Sequence, residues 1–218
     1  VSLYNLKLFP TVLYDEPMYA NTAYSFSNNF KFFNYLTGYS GQEFFLYPGV
    51  VGPLLKFIPS TLYGFRKINI LFGLVSVFLF SNLCIKTLKS RIVIVGTVAS
   101  FVFSNIVFIA HRIVRPESLA LMFCLFALFF ATTYVGLLRH KHVFLLGLSL
   151  SLFSLIHPIC IIFYLSFMVG WMFLLFKNRI LARSLVPFIL GHLPSALLVI
   201  LYFRFWSIYA PVEWVGAV

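Results

Sequence analysis

Long apolar runs separated by short basic connections make up the chain from about residue 65 onward. Each run has roughly 18 to 21 residues, the length that an α-helix needs to cross a hydrocarbon core about 30 Å thick. The pattern predicts an all-α protein, a polytopic transmembrane helix bundle. It divides the chain into an outer loop with a juxtamembrane or re-entrant segment over 1–64 and the bundle over 65–218.

The bundle is expected to contain about six spans, over 68–85, 92–110, 118–138, 143–157, 159–176 and 184–203. A single helix over 143–176 would reach about 51 Å, which is too long for one span. The dipeptide His157-Pro158 interrupts that stretch, so we expect two short spans hinged there. This choice returns the basic loop 177–183 to the side of Lys86 and Arg139, as the positive-inside rule prefers.

The first 64 residues follow a different pattern. Residues 1–47 are rich in Tyr, Asn, Phe and Ser, which predicts a large outer loop with short interfacial helices. Residues 48–64 are apolar but contain Pro48, Gly49, Gly52, Pro53 and Pro59, which predicts a broken or re-entrant segment lining a cavity. We also expect a first helix before Val1 and more chain after Val218.

Composition and charge exclude a soluble protein and argue against nucleic-acid binding. Hydrophobic residues make up 61% of the chain and charged residues only 10%, far from the balance of soluble domains. The net charge of +11 comes mostly from Lys and Arg in short connections between apolar runs, where they act as topology signals. The three cysteines lie in apolar segments without metal-ligand spacing, which is typical of small core residues.

The predicted topology places all five acidic residues on the outer face, together with two arginines that the charge bias would place inside. Arg112 and Arg115 suit a phosphate because the guanidinium binds it through two parallel hydrogen bonds. Asp15 and Glu16 suit proton abstraction or a divalent cation. These residues also have structural alternatives to a chemical role. Asp15-Glu16 would be an N-cap on a solvated loop, and Glu117 would be an ordinary capping residue at the start of a helix.

The order of these motifs resembles the GT-C membrane glycosyltransferases, in the branch of the protein O-mannosyltransferases and the aminoarabinose transferases of lipid A. Tyr14-Asp15-Glu16-Pro17-Met18-Tyr19-Ala20 resembles the acidic pair of the family's first outer loop. Leu46-Tyr47-Pro48-Gly49 resembles its Tyr-Pro-Pro-like stretch, with Pro-Gly where the family more often has Pro-Pro. Arg112 to Glu117 resembles the basic and acidic residues that open a later helix.

The resemblance implies transfer of a sugar from a polyprenyl-phosphate donor to an acceptor protein, lipid or glycan at the outer face of the plasma (inner) membrane. It implies that Asp15 is the general base and that Glu16 supports the acceptor or a metal. Arg112, Arg115 and His157, with Tyr47, would hold the carrier phosphate, and Glu117 would orient an arginine or the metal. A divalent metal ion is implied for some members, with Glu16 and Glu117 as candidate ligands.

Two other functions stay open. A transporter or lipid flippase for an anionic substrate would also use broken helices and basic residues, and it predicts ionisable residues deep in the membrane. Only His192 lies deep in a predicted span. A non-catalytic membrane scaffold predicts that replacing Asp15 has no effect on activity. His157 alone is also consistent with a structural hydrogen bond at a helix break.

Overall fold

The protein is all-helical over the part of the chain that the computed structural model describes, residues 16–29, 45–134, 140–177, 184–202 and 204. No β-strand occurs within those ranges. The helices, in chain order, are α1 (Glu16–Asn29), α2 (Leu46–Leu54), α3 (Leu62–Thr87), α4 (Arg91–Phe103), α5 (Asn105–Ala110), α6 (Glu117–Tyr134), α7 (His140–Ser154), α8 (Pro158–Lys177) and α9 (Leu185–Leu201).

The helices that follow α2 pack in series. Helix α3 packs against α6, α6 against α7 and α7 against α9, while α4 packs on α3. The glycines Gly147 and Gly191 allow the closest approach, since a Cβ on Gly191 would lie 2.3 Å from the Phe144 carbonyl oxygen of α7. A Cβ on Gly147 would lie 2.4 Å from the Phe188 carbonyl oxygen of α9. The small residues therefore set the spacing of this helix pair.

One core cluster lies where the N-terminal ends of α3 and α6 meet α1, α2 and the break between α7 and α8. Its fully buried members include Tyr47, Ile68, Val114, Leu119 and Ile156. The cluster joins segments that are far apart in sequence, so it positions the polar groups at this end of the protein.

Helix α3 begins earlier than the hydrophobic pattern predicts. The expected start is residue 68, whereas the helix starts at Leu62, after Thr61, whose side-chain oxygen accepts from the Gly64 N–H at 3.2 Å. This N-cap satisfies one of the first backbone donors of the helix. The polar residues Arg66, Lys67 and Asn69 therefore lie in the first two turns of α3 and not in a preceding loop.

The expected continuous helix over 92–110 is interrupted at Ser104, which separates α4 from α5. Ser104 has φ −60° and ψ 127°, outside the helical region. Ser and Asn are poor helix-interior residues because their side chains compete for backbone hydrogen bonds, which favours a break at Ser104-Asn105. Hydropathy does not predict this break, because it stays high on both sides of Ser104.

The interruption expected near His157-Pro158 lies between α7 and α8, which are separated by residues 155–157. The Leu155 and Ile156 N–H groups bond to the carbonyls of Leu152 and Phe153 in a tightened last turn. In the segment 48–64, Pro53 lies inside the short helix α2 and a turn leads from it to α3.

Within the described residues, one helix, α3, is long and apolar enough to cross a membrane: it has 26 residues, and an 18-residue stretch of it has a mean hydropathy of 2.2. The other apolar helices in the described ranges are shorter. Many large apolar side chains on α4, α5, α8 and α9 are nevertheless exposed, for example Ile92 at 85% and Ile106 at 81%.

Candidate active site

Glu16 is the first residue of α1, and its side chain is completely buried, with 0% exposure. Its Oε1 accepts from Arg66 Nε at 3.0 Å and from the Val114 N–H at 2.7 Å. Its Oε2 accepts from Arg66 Nη2 at 2.7 Å. Arg66 is itself 1% exposed. The alternative of a solvated loop is therefore wrong for Glu16, because its carboxylate lies in the interior, where the guanidinium fork compensates the buried charge.

Asn69, one turn after Arg66 on α3, holds the same neighbouring segment. Its side-chain amide donates to the carbonyl of Ile113 and, at 3.2 Å, to that of Arg115. The amide oxygen accepts from the Tyr47 hydroxyl at 3.0 Å. Residues three apart on a helix lie on one face, so Arg66 and Asn69 act together. We call these two residues, with Glu16 and Tyr47, the α3 clasp.

Tyr47 lies inside the protein rather than at an open site. Its side chain is 0% exposed, and its ring meets that of Tyr19 edge-on, with centroids 6.0 Å apart. Burial raises the pKa of the Tyr47 phenol above its ordinary value, so the hydroxyl stays protonated and donates to Asn69. In the structure the Tyr47 hydroxyl contacts Asn69, another residue of the clasp, and the expected contact of Tyr47 with the carrier phosphate stays a prediction.

The turn between α5 and α6, residues 111–116, carries the cations expected to bind phosphate. Arg112 is 2% exposed, and its guanidinium lies 5.1 Å from the centroid of the Phe108 ring. Burial, with a smaller contribution from the charge of Arg66, lowers the pKa of Arg112. Arg112 thus adds a second buried guanidinium group to this end of the protein, beside the Arg66 group that is paired with Glu16.

Arg115 and Glu117 form a more accessible pair at the same turn. Arg115 Nη2 lies 2.8 Å from Glu117 Oε1, with side-chain exposures of 30% and 38%. Glu117 is the first residue of α6, where a carboxylate is favoured by the helix dipole. The structure thus brings together the two residues that the sequence paired as an arginine and its orienting acid.

His111 begins the turn and is packed against α3. A Cβ on Gly73 would lie 2.6 Å from the His111 ring, so the glycine makes room for the imidazole. The ring is 8% exposed, and neither of its nitrogens has a hydrogen-bond partner within the described residues. Burial lowers the pKa of His111 to about 4, so the ring is neutral at pH 7.

His157 lies at the break between α7 and α8 and is partly exposed. Its Nδ1 accepts from the Ile159 N–H at 3.2 Å, and its carbonyl accepts from the Cys160 N–H at 2.9 Å. These bonds satisfy backbone donors at the start of α8. The geometry thus favours the structural role that the sequence left open beside phosphate binding.

The carboxylates differ in how well they suit a divalent cation. Both oxygens of Glu16 bond to Arg66 or Val114, so Glu16 does not fit a metal ligand. Glu117 Oε2 is buried and has no hydrogen-bond partner within the described part of the chain, which leaves one oxygen for a cation or a substrate. No group of three metal-ligating side chains occurs among the described residues. Asp15, Glu43 and Glu213 lie outside them.

Sequence reasoning missed Arg66 and Asn69, which hold the site together. Both follow Thr61, and both precede a long apolar run. The spacing of Arg66 and Asn69 is the signal that could have found them. Polar residues three apart at the start of an apolar helix lie on one face, which predicts that they have polar partners in the protein interior.

The geometry can be compared with known proteins. Protein-family models, curated proteins and solved structures give no match to this chain. The functional argument therefore depends on the site itself.

Proposed function

We propose that the protein is an integral-membrane glycosyltransferase of the GT-C type, which moves a sugar from a polyprenyl-phosphate donor to an acceptor at the outer face. The observation that carries the proposal is the α3 clasp. It holds the start of α1, next to Asp15, against the turn that carries Arg112 and Arg115. The segment that follows the proposed base in the chain and the turn with the proposed phosphate-binding arginines thus meet at one end of the helix bundle.

The distribution of charge along α3 supports the membrane assignment. Arg66 lies near the N-terminal end of α3 and Lys86 in its last turn. About 20 residues of helix separate them, or about 30 Å, which matches the thickness of a hydrocarbon core. The exposed apolar faces of α4, α5, α8 and α9 are suited to lipid or to further helices. We propose a multi-pass protein of the plasma membrane with the clasp on the outer side.

Each residue of the site has a proposed role. Arg115, partly exposed, binds the carrier phosphate, Glu117 orients Arg115, and buried Arg112 adds positive charge behind it. Asp15 is the general base. Glu16, which the resemblance placed in the chemistry, is now assigned to positioning, because both its oxygens bond to the clasp and the turn.

The proposed transfer needs no reagent other than the sugar donor and the acceptor. The acceptor hydroxyl or amine attacks the anomeric carbon, a new bond to that carbon forms, and its bond to the phosphate oxygen breaks. The acceptor proton passes to Asp15, and the polyprenyl phosphate leaves as an anion beside Arg115. A divalent cation at Glu117 would stabilise that anion further.

A substitution of Asp15 tests the proposal. Asp15→Asn in the full-length protein should abolish transfer from polyprenyl-phosphate sugars while the protein keeps its helical content and its unfolding temperature. Arg115→Gln should weaken polyprenyl phosphate binding. The matched control is Lys56→Gln, since Lys56 is an exposed cation on the turn after α2. Unchanged turnover in a folded Asp15→Asn protein would refute the catalytic assignment.

The two-span topology has its own test. We propose that α7 and α8 each cross the membrane, which returns residues 178–183 to the inner side with the other basic loops. Single cysteines in 178–183 should therefore react with a membrane-impermeant maleimide only after the membrane is opened. Labelling from the outside of intact cells or vesicles would overturn this topology.

A transporter has less support from the same structure. Apart from the first two turns and the last turn of each described helix, His192 of α9 is the only Asp, Glu, Lys, Arg or His side chain in these helices. Its Nδ1 lies 2.9 Å from the Phe188 carbonyl oxygen of the preceding turn. One histidine bonded to its own helix does not form a polar path through the bundle.

A further inference from the structure

An open groove of about 400 Å³ lies between α1 and the start of α3. Its lining from α1 includes Pro17, Asn21 and Tyr24, and α3 contributes Phe65. The groove thus borders the clasp on both sides, since Pro17 follows Glu16 and Phe65 precedes Arg66 in the chain. Its volume is within the range of small-molecule sites, near the lower end.

The two faces of α1 explain why the groove stays open. Glu16 and Ala23, seven residues apart, are fully buried against the core. Pro17, Asn21 and Tyr24 follow a neighbouring stripe of the same helix at spacings of four and three residues. The first stripe holds the helix in place, while the second presents its side chains to the groove.

The chemistry of the lining selects an uncharged ligand. None of the lining residues that the structure describes carries a charge at neutral pH. Leu62 and Phe65 supply an apolar surface, whereas Asn21 and Ser60 supply hydrogen-bonding groups. Tyr24 is 46% exposed, so one aromatic ring is available at the rim. A sugar ring has this same combination of an apolar face and a hydroxyl-rich edge.

We propose that this groove binds a neutral carbohydrate, and that the carbohydrate is the acceptor of the transfer reaction. The second part rests on the proposed function. In the chain, Asp15 is two residues before Pro17, which lines the groove. In this proposal a hydroxyl of the sugar in the groove is the group that Asp15 deprotonates, and the carrier phosphate binds at the 111–116 turn. The sequence left three acceptor classes open, namely protein, lipid and glycan, and the lining of the groove favours a glycan.

The test measures two binding reactions on the purified full-length protein in detergent. Saturation-transfer NMR measures binding of methyl glycosides of mannose, glucose and N-acetylglucosamine. A fluorescence titration measures binding of polyprenyl phosphate. Tyr24→Ala should weaken glycoside binding about five- to tenfold, the effect of losing one aromatic contact. It should leave polyprenyl phosphate binding unchanged, whereas Arg115→Gln should have the opposite effect.

Tyr63→Ala is the matched control, because Tyr63 is a partly buried tyrosine at the same end of α3 that does not line the groove. Ala20→Trp, which fills the groove, should abolish glycoside binding in a protein that still binds polyprenyl phosphate. Equal losses in Tyr24→Ala and Tyr63→Ala would overturn the proposal. So would displacement of the glycosides by a serine-containing peptide that binds more tightly. Glycoside binding that depends on Tyr24, in a protein that does not bind polyprenyl phosphate, would support the groove and refute the glycosyl-transfer function.

Discussion

The buried pair of Glu16 and Arg66 allows the sharpest prediction. Replacing Arg66 by Met keeps a long side chain but removes both hydrogen bonds to the carboxylate, at 3.0 Å and 2.7 Å. Glu16 then keeps only the Val114 N–H of these partners, in an interior where it is 0% exposed. A buried carboxylate without its cation is strongly unfavourable.

The expected loss follows from this burial. Removing one partner of a buried ion pair costs about 3–5 kcal/mol. For a chain of this length, 1 kcal/mol corresponds to a shift of about 2–4 °C in unfolding temperature. We therefore expect Arg66→Met to lower the unfolding temperature by roughly 10 °C. The double variant Glu16→Leu/Arg66→Met should lose much less than the sum of the two single variants, since it leaves no unpaired charge.

The assay is thermal unfolding of the full-length protein in one detergent, followed by circular dichroism. Lys67→Met is the matched control, because Lys67 is the next residue of α3 but is exposed, with its Nζ 4.3 Å from the centroid of the Tyr63 ring. Its loss should change stability by no more than about 1 kcal/mol. If Arg66→Met is as stable as Lys67→Met, the argument that the clasp depends on this ion pair is refuted.

Three further predictions concern single positions. Gly191→Ala should destabilise the protein by about 1–3 kcal/mol by separating α7 from α9, and Gly96→Ala, where a Cβ meets nothing within 4 Å, should not; equal unfolding temperatures would contradict this. His111 has a folded-state pKa lowered from 6.5 to about 4, so the unfolded state takes up its proton first and stability should fall as the pH drops from 6.5 towards 4. His111→Gln should flatten that part of a stability-against-pH curve, and an unchanged slope would count against it. Tyr47→Phe should cost about 1–3 kcal/mol in chemical denaturation, because the buried Asn69 oxygen loses its donor; a neutral result would show that this bond contributes little.

The spacing of apolar residues predicts the helical architecture, but it does not predict the residues at which each helix begins, ends or breaks. The 34 residues from Val143 to Phe176 exceed one span, and two helices separated by residues 155–157 cover the rest of that stretch. The early start of α3 depends on the Thr61 cap and on polar residues that hydropathy assigns to a loop. The break at Ser104 depends on a single residue within an apolar run.

The candidate site was predicted in part. Arg115 and Glu117 are two residues apart, so their pairing follows from local sequence. Arg66 could not be assigned in the same way, because its partner Glu16 is 50 residues away and the contact exists only after α1 folds back onto α3. The burial of Glu16 and its bonds to Arg66 give this residue a structural role that the acidic motif Asp15-Glu16 does not predict.

The buried ion pair also constrains how this protein can change during evolution. Replacing either Glu16 or Arg66 alone removes the ion-pair partner of a buried charge. We therefore expect substitutions at the two positions to occur at nearly the same time. In relatives of this protein we therefore expect the two positions to covary, as an acid and an arginine or as two apolar residues. Any residue except proline at position 114 supplies the backbone N–H that Glu16 accepts, so this third partner places little demand on the sequence.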